Sequence, residues 1–347
     1  MRRLILIIGA GLLAAIVWSA VWLSGVWQQS LQVPESGATV EVVQGESLRG
    51  VLKKIEGYGW LRNALWVGRI ASWRGLDQRI SAGEFSLLAS MDAGDLIEHL
   101  SSGRVIQYRI TIPEGVTLSE AISILSAHPK LAHPTDDTLE KQLIDWVAPA
   151  RSAEGWFLPE TWVFTAGDSV LDILQRSHTA MRELLAQLWE TRQQDLPMAT
   201  PYEALILASI VERETGKPDE RSQIAGVFLR RLERGMRLQT DPTVIYGLAD
   251  QYDGNLKRQH LRDTSNPYNT YAIKGLPPTP IALPGKEALR AVFEPDESDH
   301  LYFVAKGDGA HAFSSTLEQH EQNVRKYQLN RRKDYRSAPL TGDATHQ

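Results

Sequence analysis

The chain has 347 residues, 43% hydrophobic and 23% charged, which is enough apolar material for two or three folded units and excludes a disordered chain. Its formal net charge of −5 argues against a general nucleic-acid binder held by phosphate contacts. The absence of cysteine excludes a disulfide framework, a thiol nucleophile, Cys-ligated metals and a lipid-modified N-terminal cysteine.

Residues 1–3 carry Arg2 and Arg3, and no charge follows until after Pro34. Residues 4–27 are almost wholly apolar and, as a helix, reach about 36 Å, enough to cross a ~30 Å hydrocarbon layer. The preceding arginines keep the N-terminus cytoplasmic, and Trp18, Trp22 and Trp27 suit the far interface. The run is too long for a cleaved signal peptide, and no small-x-small site follows it. The sequence therefore predicts an uncleaved single-pass anchor in the inner (cytoplasmic) membrane, with residues 35–347 outside the cytoplasm.

Residues 28–37 bear Pro, Gly and Ser and read as a linker. Within 38–128, a membrane-proximal region, Ala38–Val43 reads as a strand, Gly45-Glu46-Ser47 as a turn and cap, and Leu48–Ile55 as a helix. Tyr58–Trp73 reads as a second helix, Ser81–Leu87 as a returning strand and Ala93–Leu100 as a helix. The pattern echoes later, where Ile112-Pro113-Glu114-Gly115-Val116-Thr117-Leu118 precedes a helix over Leu118–Ser126. The first copy, Val-x-x-Gly-x-Ser-Leu ahead of a helix, resembles the start of a LysM module, which implies N-acetylated glycan as ligand. Strand, Gly turn and helix are also ordinary punctuation. Pro129–Thr138 is polar and turn-rich, which sets a boundary before a larger domain at 129–330. Residues 331–347 form a polar tail, expected to be mobile.

The larger domain contains one unusual helix. Thr200 can cap it, Pro201 suits its first turn, and Glu203 completes a capping box; Gly216 and Pro218 stop it. Between them the helix is apolar on nearly every face. Glu212 shares a stripe with Leu205, Ala208 and Ser209, while Glu203 and Glu214 fall on the opposite side. A carboxyl on such a stripe is costly to ionise, so its pKa rises, as a general acid near neutral pH requires. Ala208 and Ser209 would leave room for a ligand. The alternative is a structural carboxylate paired with Arg213 or another nearby arginine.

Asp219 can cap a following helix over Glu220–Arg234, ended by Gly235. The turn Arg237-Leu238-Gln239-Thr240-Asp241-Pro242 then offers amide, hydroxyl and carboxylate groups of the kind that hydrogen-bond sugars, and Tyr246 follows it. Pro267-Tyr268-Asn269-Thr270-Tyr271 and Gly275–Ile281 read as stiff, aromatic-edged loops that wall a groove or cross the surface. Nine scattered histidines without His-Glu-x-x-His disfavour a metal hydrolase, and no Gly-x-Ser-x-Gly elbow is present. Lys306-Gly307-Asp308-Gly309 reads as a hairpin turn, not a phosphate loop.

Several segments, in order, resemble the endolytic murein transglycosylase family (MltG/YceG-like): Glu154–Trp162, Leu207–Thr215, Arg237–Gly247, Tyr268–Tyr271, Gly275–Pro278, and Leu301–Lys306 with His311–Ser314. The resemblance covers nearly the whole chain. It implies an α+β protein with one transmembrane helix, LysM-like small α/β modules and an α+β catalytic domain. It implies cleavage of the MurNAc–GlcNAc β-1,4 bond within peptidoglycan strands, leaving 1,6-anhydroMurNAc ends and acting on nascent strands at the membrane to terminate their elongation. No cofactor and no metal are implied, and membrane peptidoglycan synthases are implied partners.

The family's catalytic glutamate is matched to Glu212, acting first as acid on the glycosidic oxygen and then as base on the muramoyl C6 hydroxyl. Gln239 and Asp241 are expected to bind N-acetyl or hydroxyl groups, with a loop-bracing alternative for Asp241. Tyr246, Asn269 and Tyr271 are groove candidates, Tyr246 alternatively being core. Glu154 would orient sugar or Glu212, or act structurally. The competing functions are a membrane-tethered glycan-binding scaffold and a muramidase that yields reducing ends.

Overall fold

The computed structural model describes residues 2–77, 80–132 and 136–329; the expected tail 331–347 lies outside the described residues. Helices and short strands divide into two compact units. The first is Met1–Arg109 with Pro129–Ala132 and Val163–Asp168; the second is Ile110–His128, His133–Trp162 and Ser169–Gln347. The segment Ile110–His128, read from sequence with the membrane-proximal region, falls in the second unit.

In the first unit, helix α1 (Arg2–Trp27) contains a stretch, Ile5–Trp27, long and apolar enough to cross a membrane. Strand β1 (Ala38–Val42) pairs antiparallel with β2 (Gly83–Leu87), Val40 opposite Phe85. Val40, Val42, Phe85 and Leu87 point inward, as strand alternation requires. They pack with the apolar faces of α2 (Leu48–Gly57), α3 (Ala64–Trp73) and α4 (Ala93–Ser101). Ser47 caps α2, and Asp92 forms a capping box with Asp95 on α4. The expected second helix starts late, at Ala64 rather than Tyr58. Gly59 turns with φ +76° and Asn63 sits in the left-handed region at φ 53°, so the helix cannot run through them. Glu56 on α2 accepts the Ala64 N–H at 3.0 Å and caps α3 from outside.

The stretch 28–37, expected as a linker, is bonded into this unit. Leu31 N–H donates to Met91 O (2.9 Å), Gln32 N–H to Trp60 O (2.8 Å) and Ala93 N–H to Gln29 O (3.0 Å). Val26 and Trp27 at the end of α1 join Leu31 and Val33 in the core. A Cβ on Gly94 would lie 2.4 Å from Trp27 Nε1, so only glycine admits the indole there.

Strands β3 (Gln107–Thr111) and β4 (Thr161–Thr165) form a two-stranded sheet. In the second unit, α5 (Leu118–Ser126) is followed by α6 (Asp136–Val147) and the long α7 (Val170–Thr191). Helix α8 (Pro201–Glu214) runs through the core, with Ala204–Val211 buried without a break, against α7, α9 (Arg221–Glu233) and α12 (Lys286–Phe293). Between α9 and α12 lie the short helices α10 (Asp241–Leu248) and α11 (Arg258–Arg262). The hairpin β5 (Tyr302–Ala305) and β6 (His311–Ser314), closed by Lys306 N–H on Ala310 O at 2.7 Å, leads into α13 (Leu317–Val324).

Three local readings change. Thr200 caps α8, but Glu203 reaches Ala199 N–H (2.6 Å) rather than closing the box on Thr200. Asp219 lies in a 3₁₀ turn, Pro218–Glu220, and the position ahead of α9 is Glu220, which caps nothing. Ser209 leaves no room for a ligand. Its hydroxyl donates to Ile206 O (2.7 Å) and accepts Ile281 N–H (3.0 Å), so the small residue admits the crossing backbone of 279–285.

Candidate active site

At its C-terminal end α8 delivers two carboxyls to different surroundings. The Glu212 side chain is 6% exposed. Its Oε2 accepts the Gly285 N–H at 2.8 Å, and its Oε1 lies 3.6 Å from the Arg221 guanidinium. The same guanidinium lies 3.6 Å from Glu114, so Arg221 bridges two carboxylates. Burial raises the Glu212 carboxyl, the Glu114 charge adds to this, and the Gly285 N–H and Arg221 oppose it; the rise prevails. Next to it, Arg213 donates to Gly115 O at 2.9 Å.

Glu214 ends the helix beside the turn that enters α10. Its Oε1 accepts a hydrogen bond from the Thr240 hydroxyl. Burial is the main cause that raises its carboxyl, Asp241 adds to it, and the Thr240 hydroxyl, His311 and Arg231 oppose it. Its Oε2 has no hydrogen-bond partner among the described residues, and the residue borders the cleft described next.

Both glutamates border a cleft of about 760 Å³, walled by Gln239, Thr240, Asp241 and Tyr271 on one side and by Phe303, Val304, Ala305 and His311 on the other. The 239–243 turn is braced from behind by buried threonines. Thr240 N–H donates to the Thr270 hydroxyl (3.0 Å), and the Thr243 and Thr270 hydroxyls are 2.9 Å apart. Gln239 has φ 54°, a left-handed conformation that costs a non-glycine residue about 1–2 kcal/mol and that the threonine brace sustains. Gln239 and Asp241 are exposed into the cleft, and the Tyr271 hydroxyl donates to Asp241 Oδ1 at 2.7 Å. Burial and the Asp241 charge raise the Tyr271 hydroxyl, keeping it a neutral donor.

The remaining candidates lie off the cleft lining. Asn269 is fully buried; its amide donates to the carbonyls of His260, Leu261 and Asp263 and its oxygen accepts Tyr271 N–H, which makes it the clamp of its loop. Glu154, 7% exposed, accepts Leu118 N–H (2.9 Å) at the start of α5 and the Tyr246 hydroxyl (3.2 Å). Tyr246 packs edge-on against Tyr268 at 5.0 Å between centroids. Beside Glu154, Gly155 holds φ +83°, and a Cβ there would meet the Pro280 ring at 2.5 Å.

Two cleft residues were not legible as site residues. Arg231 is buried and donates to Leu301 O and Leu238 O, both at 2.7 Å, pinning the hairpin and the 237–238 chain behind Glu214. Nothing in Arg-Arg-Leu-Glu-Arg distinguishes it from its neighbours. His311 is held by Glu220, with Nδ1 at 2.7 Å and its N–H at 2.9 Å from the two carboxylate oxygens. These bonds lower the Glu220 carboxyl although burial alone would raise it.

A model described as the YceG-like family matches residues 40–326. The chain is 30% identical over 264 residues to an endolytic murein transglycosylase of Bacillus subtilis (strain 168), an alignment of 71% of this chain and 72% of that protein. It is 27% identical over 320 residues to the endolytic murein transglycosylase of Streptococcus pneumoniae serotype 2 (strain D39), which covers 82% of this chain and 57% of the pneumococcal protein. Among solved structures, a YceG-like protein of Listeria monocytogenes superposes with a TM-score of 0.52 at 28% identity, over 83% of this chain and 99% of that one.

Proposed function

The chain belongs to the YceG-like family, and from that premise we propose that it is an endolytic peptidoglycan lytic transglycosylase whose acid is Glu214 rather than Glu212. The observation that carries the choice is the Oε2 of Glu214, which has no hydrogen-bond partner among the described residues, beside a cleft lined by Gln239, Asp241 and Tyr271. Both Glu212 oxygens face positive or donor groups, the Gly285 N–H and Arg221, which suits an ionised structural carboxylate. This is the paired-carboxylate alternative of the sequence reading, with Arg221 as the partner.

In the mechanism, Thr240 donates to Oε1, so the acid proton sits on Oε2. That proton passes to the glycosidic oxygen as the C1–O bond breaks. The muramoyl 2-acetamido group supports the developing positive charge. The C6 hydroxyl oxygen bonds to C1, and Glu214 takes back the hydroxyl proton. No water is consumed, and one carboxyl serves both steps, unlike the paired carboxylates of hydrolytic glycosidases. Gln239 and Asp241, the latter oriented by Tyr271, hold acetamido and hydroxyl groups.

The apolar helix α1 supports a single-pass anchor in the cytoplasmic membrane with the catalytic domain outside the cytoplasm, where nascent strands leave membrane synthases. The order β1, α2, α3, β2 with antiparallel strands supports a LysM-like reading of the first unit. Retention of purified glycan strands by that unit would test it.

The test of the acid is product analysis by mass spectrometry on purified glycan strands. Glu214→Gln is expected to lower formation of anhydro ends by about 10²–10⁴-fold, and Glu212→Gln by far less. Glu212 also borders the cleft, and burial raises its carboxyl too, so the competing assignment predicts the reverse order. Anhydro ends retained by Glu214→Gln would end the proposal. Reducing ends from the unsubstituted protein would mark a muramidase, and binding without new ends a scaffold.

A further inference from the structure

The membrane reading of α1 has a consequence for the first unit, on which the following rests. The span Ile5–Trp27 is 23 residues, about 35 Å of helix, against a hydrocarbon layer of ~30 Å. Its last turn is already inside the core of the unit, since Val26 and Trp27 are buried and the backbone from Gln28 to Gln32 is hydrogen-bonded to Ser24, Met91 and Trp60. No slack separates the membrane from the folded unit.

Helix α3 lies against α1 at this level, with the Trp22 and Trp66 rings edge-on at 5.4 Å. Its uncovered face is apolar and aromatic: Leu65 is 49% exposed, Trp66 37% and Trp73 88%. From Tyr58 to Arg74 the chain carries Arg62, Arg69 and Arg74, all exposed, and no acidic residue. The arginine heads sit on indole faces, Arg69 over Trp66 at 4.9 Å and Arg74 over Trp27 at 4.2 Å. A groove of about 630 Å³ runs between the two helices, lined by Leu12, Ile16, Leu23, Ile70 and Trp73 with Arg74 at its edge. Leu12 and Ile16 are mid-span residues, so the groove opens within the hydrocarbon depth and ends at a cation.

We propose that α3 is a second membrane-contact element. It seats in the headgroup layer of the leaflet from which α1 emerges, with a phospholipid acyl chain in the α1–α3 groove and the lipid phosphate at Arg69 and Arg74. Tryptophan and arginine on an apolar helix face are the residues that settle at this boundary. The cation excess is complementary to anionic headgroups. A soluble protein partner would leave mid-span residues unexplained.

The chain has no cysteine, so single replacements can be labelled with an environment-sensitive fluorophore. Leu12→Cys and Trp73→Cys are made in the full chain and reconstituted into phosphatidylcholine vesicles with about 30% phosphatidylglycerol. Trp73 is exposed, so its loss spares the core, which circular dichroism checks. The label at 73 is expected to be quenched by nitroxide lipids within about twofold of the label at 12, and to be shielded from aqueous iodide. Lipid quenching at 12 with iodide quenching at 73 overturns the proposal and leaves the anchor standing. Iodide access at 12 sinks the anchor reading, and the proposal with it. Quenching at 73 that falls as the protein-to-lipid ratio rises places a second copy in the groove and also overturns it. Arg69→Gln with Arg74→Gln is expected to cut the quenching at 73 about twofold in the anionic vesicles; no change overturns the phosphate contact.

Discussion

Replacing Glu154 by Gln should flatten the pH dependence of stability of the second unit. Burial lifts the Glu154 carboxyl from 4.5 to about 7, against the opposing pull of the Leu118, Gly155 and Tyr246 donors. Because the folded value lies above the unfolded one, the group's contribution is fully present below about pH 4.5 and is lost as pH rises through about 7. At 1.36 kcal/mol per pH unit, a shift from 4.5 to about 7 makes folding about 2.5 kcal/mol less favourable at pH 8 than at pH 5 through this residue alone. Gln keeps the acceptor for Leu118 N–H, and the Tyr246 hydroxyl can turn to accept from the new amide. Urea unfolding of the detergent-solubilised chain at pH 5, 6, 7 and 8, with and without Glu154→Gln, isolates this contribution, because every other titrating group is common to both. The difference between variant and parent should grow with pH. A difference that stays flat, or shrinks, from pH 5 to pH 8 would falsify the assignment of a buried, mostly protonated Glu154.

Thr240→Val removes the hydroxyl that favours the ionised form of Glu214 while keeping the shape and the Thr240 backbone bond to Thr270. The Glu214 carboxyl should rise further, so the alkaline limb of the pH–rate profile should move up by about one unit, the size of one hydrogen bond to a charged group. A limb that stays put or moves down counts against Glu214 as the acid. Gln239→Gly relieves a left-handed φ and removes an amide from the cleft. Stability in urea should hold or rise by about 1 kcal/mol while activity on glycan strands falls, and a variant that loses stability contradicts the strain at this position.

The helices were readable where local signals agree. Leu118–Ser126 has the bounds expected after its Gly turn, with Thr117 closing a capping box, and α8 follows from Thr200, Pro201 and the Gly216-Lys217-Pro218 stop. The late start of α3 was not readable, because the bond that caps it, Ala64 N–H to Glu56, comes from the preceding helix, and the left-handed Asn63 has no local signal of its own. The proposed preference for Glu214 over Glu212 rests on contacts of the same non-local kind. A helical wheel places them on different sides, but what each side meets is decided by chain that arrives from elsewhere. Residues 279–285 cover the Ser209–Glu212 stripe, and Thr240 and Gln239 come to Glu214. Small residues on the stripe signalled close approach correctly; what approaches is backbone. Arg231 and His311 carry no local signal at all, since their partners, Leu301, Leu238 and Glu220, are set by tertiary packing.

On the proposed membrane anchoring of α1, the buried junction at Trp27 turns the anchor and the first unit into one lever. Hydrophobic mismatch is normally absorbed by a helix leaning in its bilayer while a flexible tether leaves the attached domain upright. Here Gly94 seats the Trp27 indole against α4, so no such swivel exists. In that arrangement a thinner bilayer that inclines α1 must incline the folded unit by the same angle, so that the local thickness of the membrane becomes an input to the orientation of this unit.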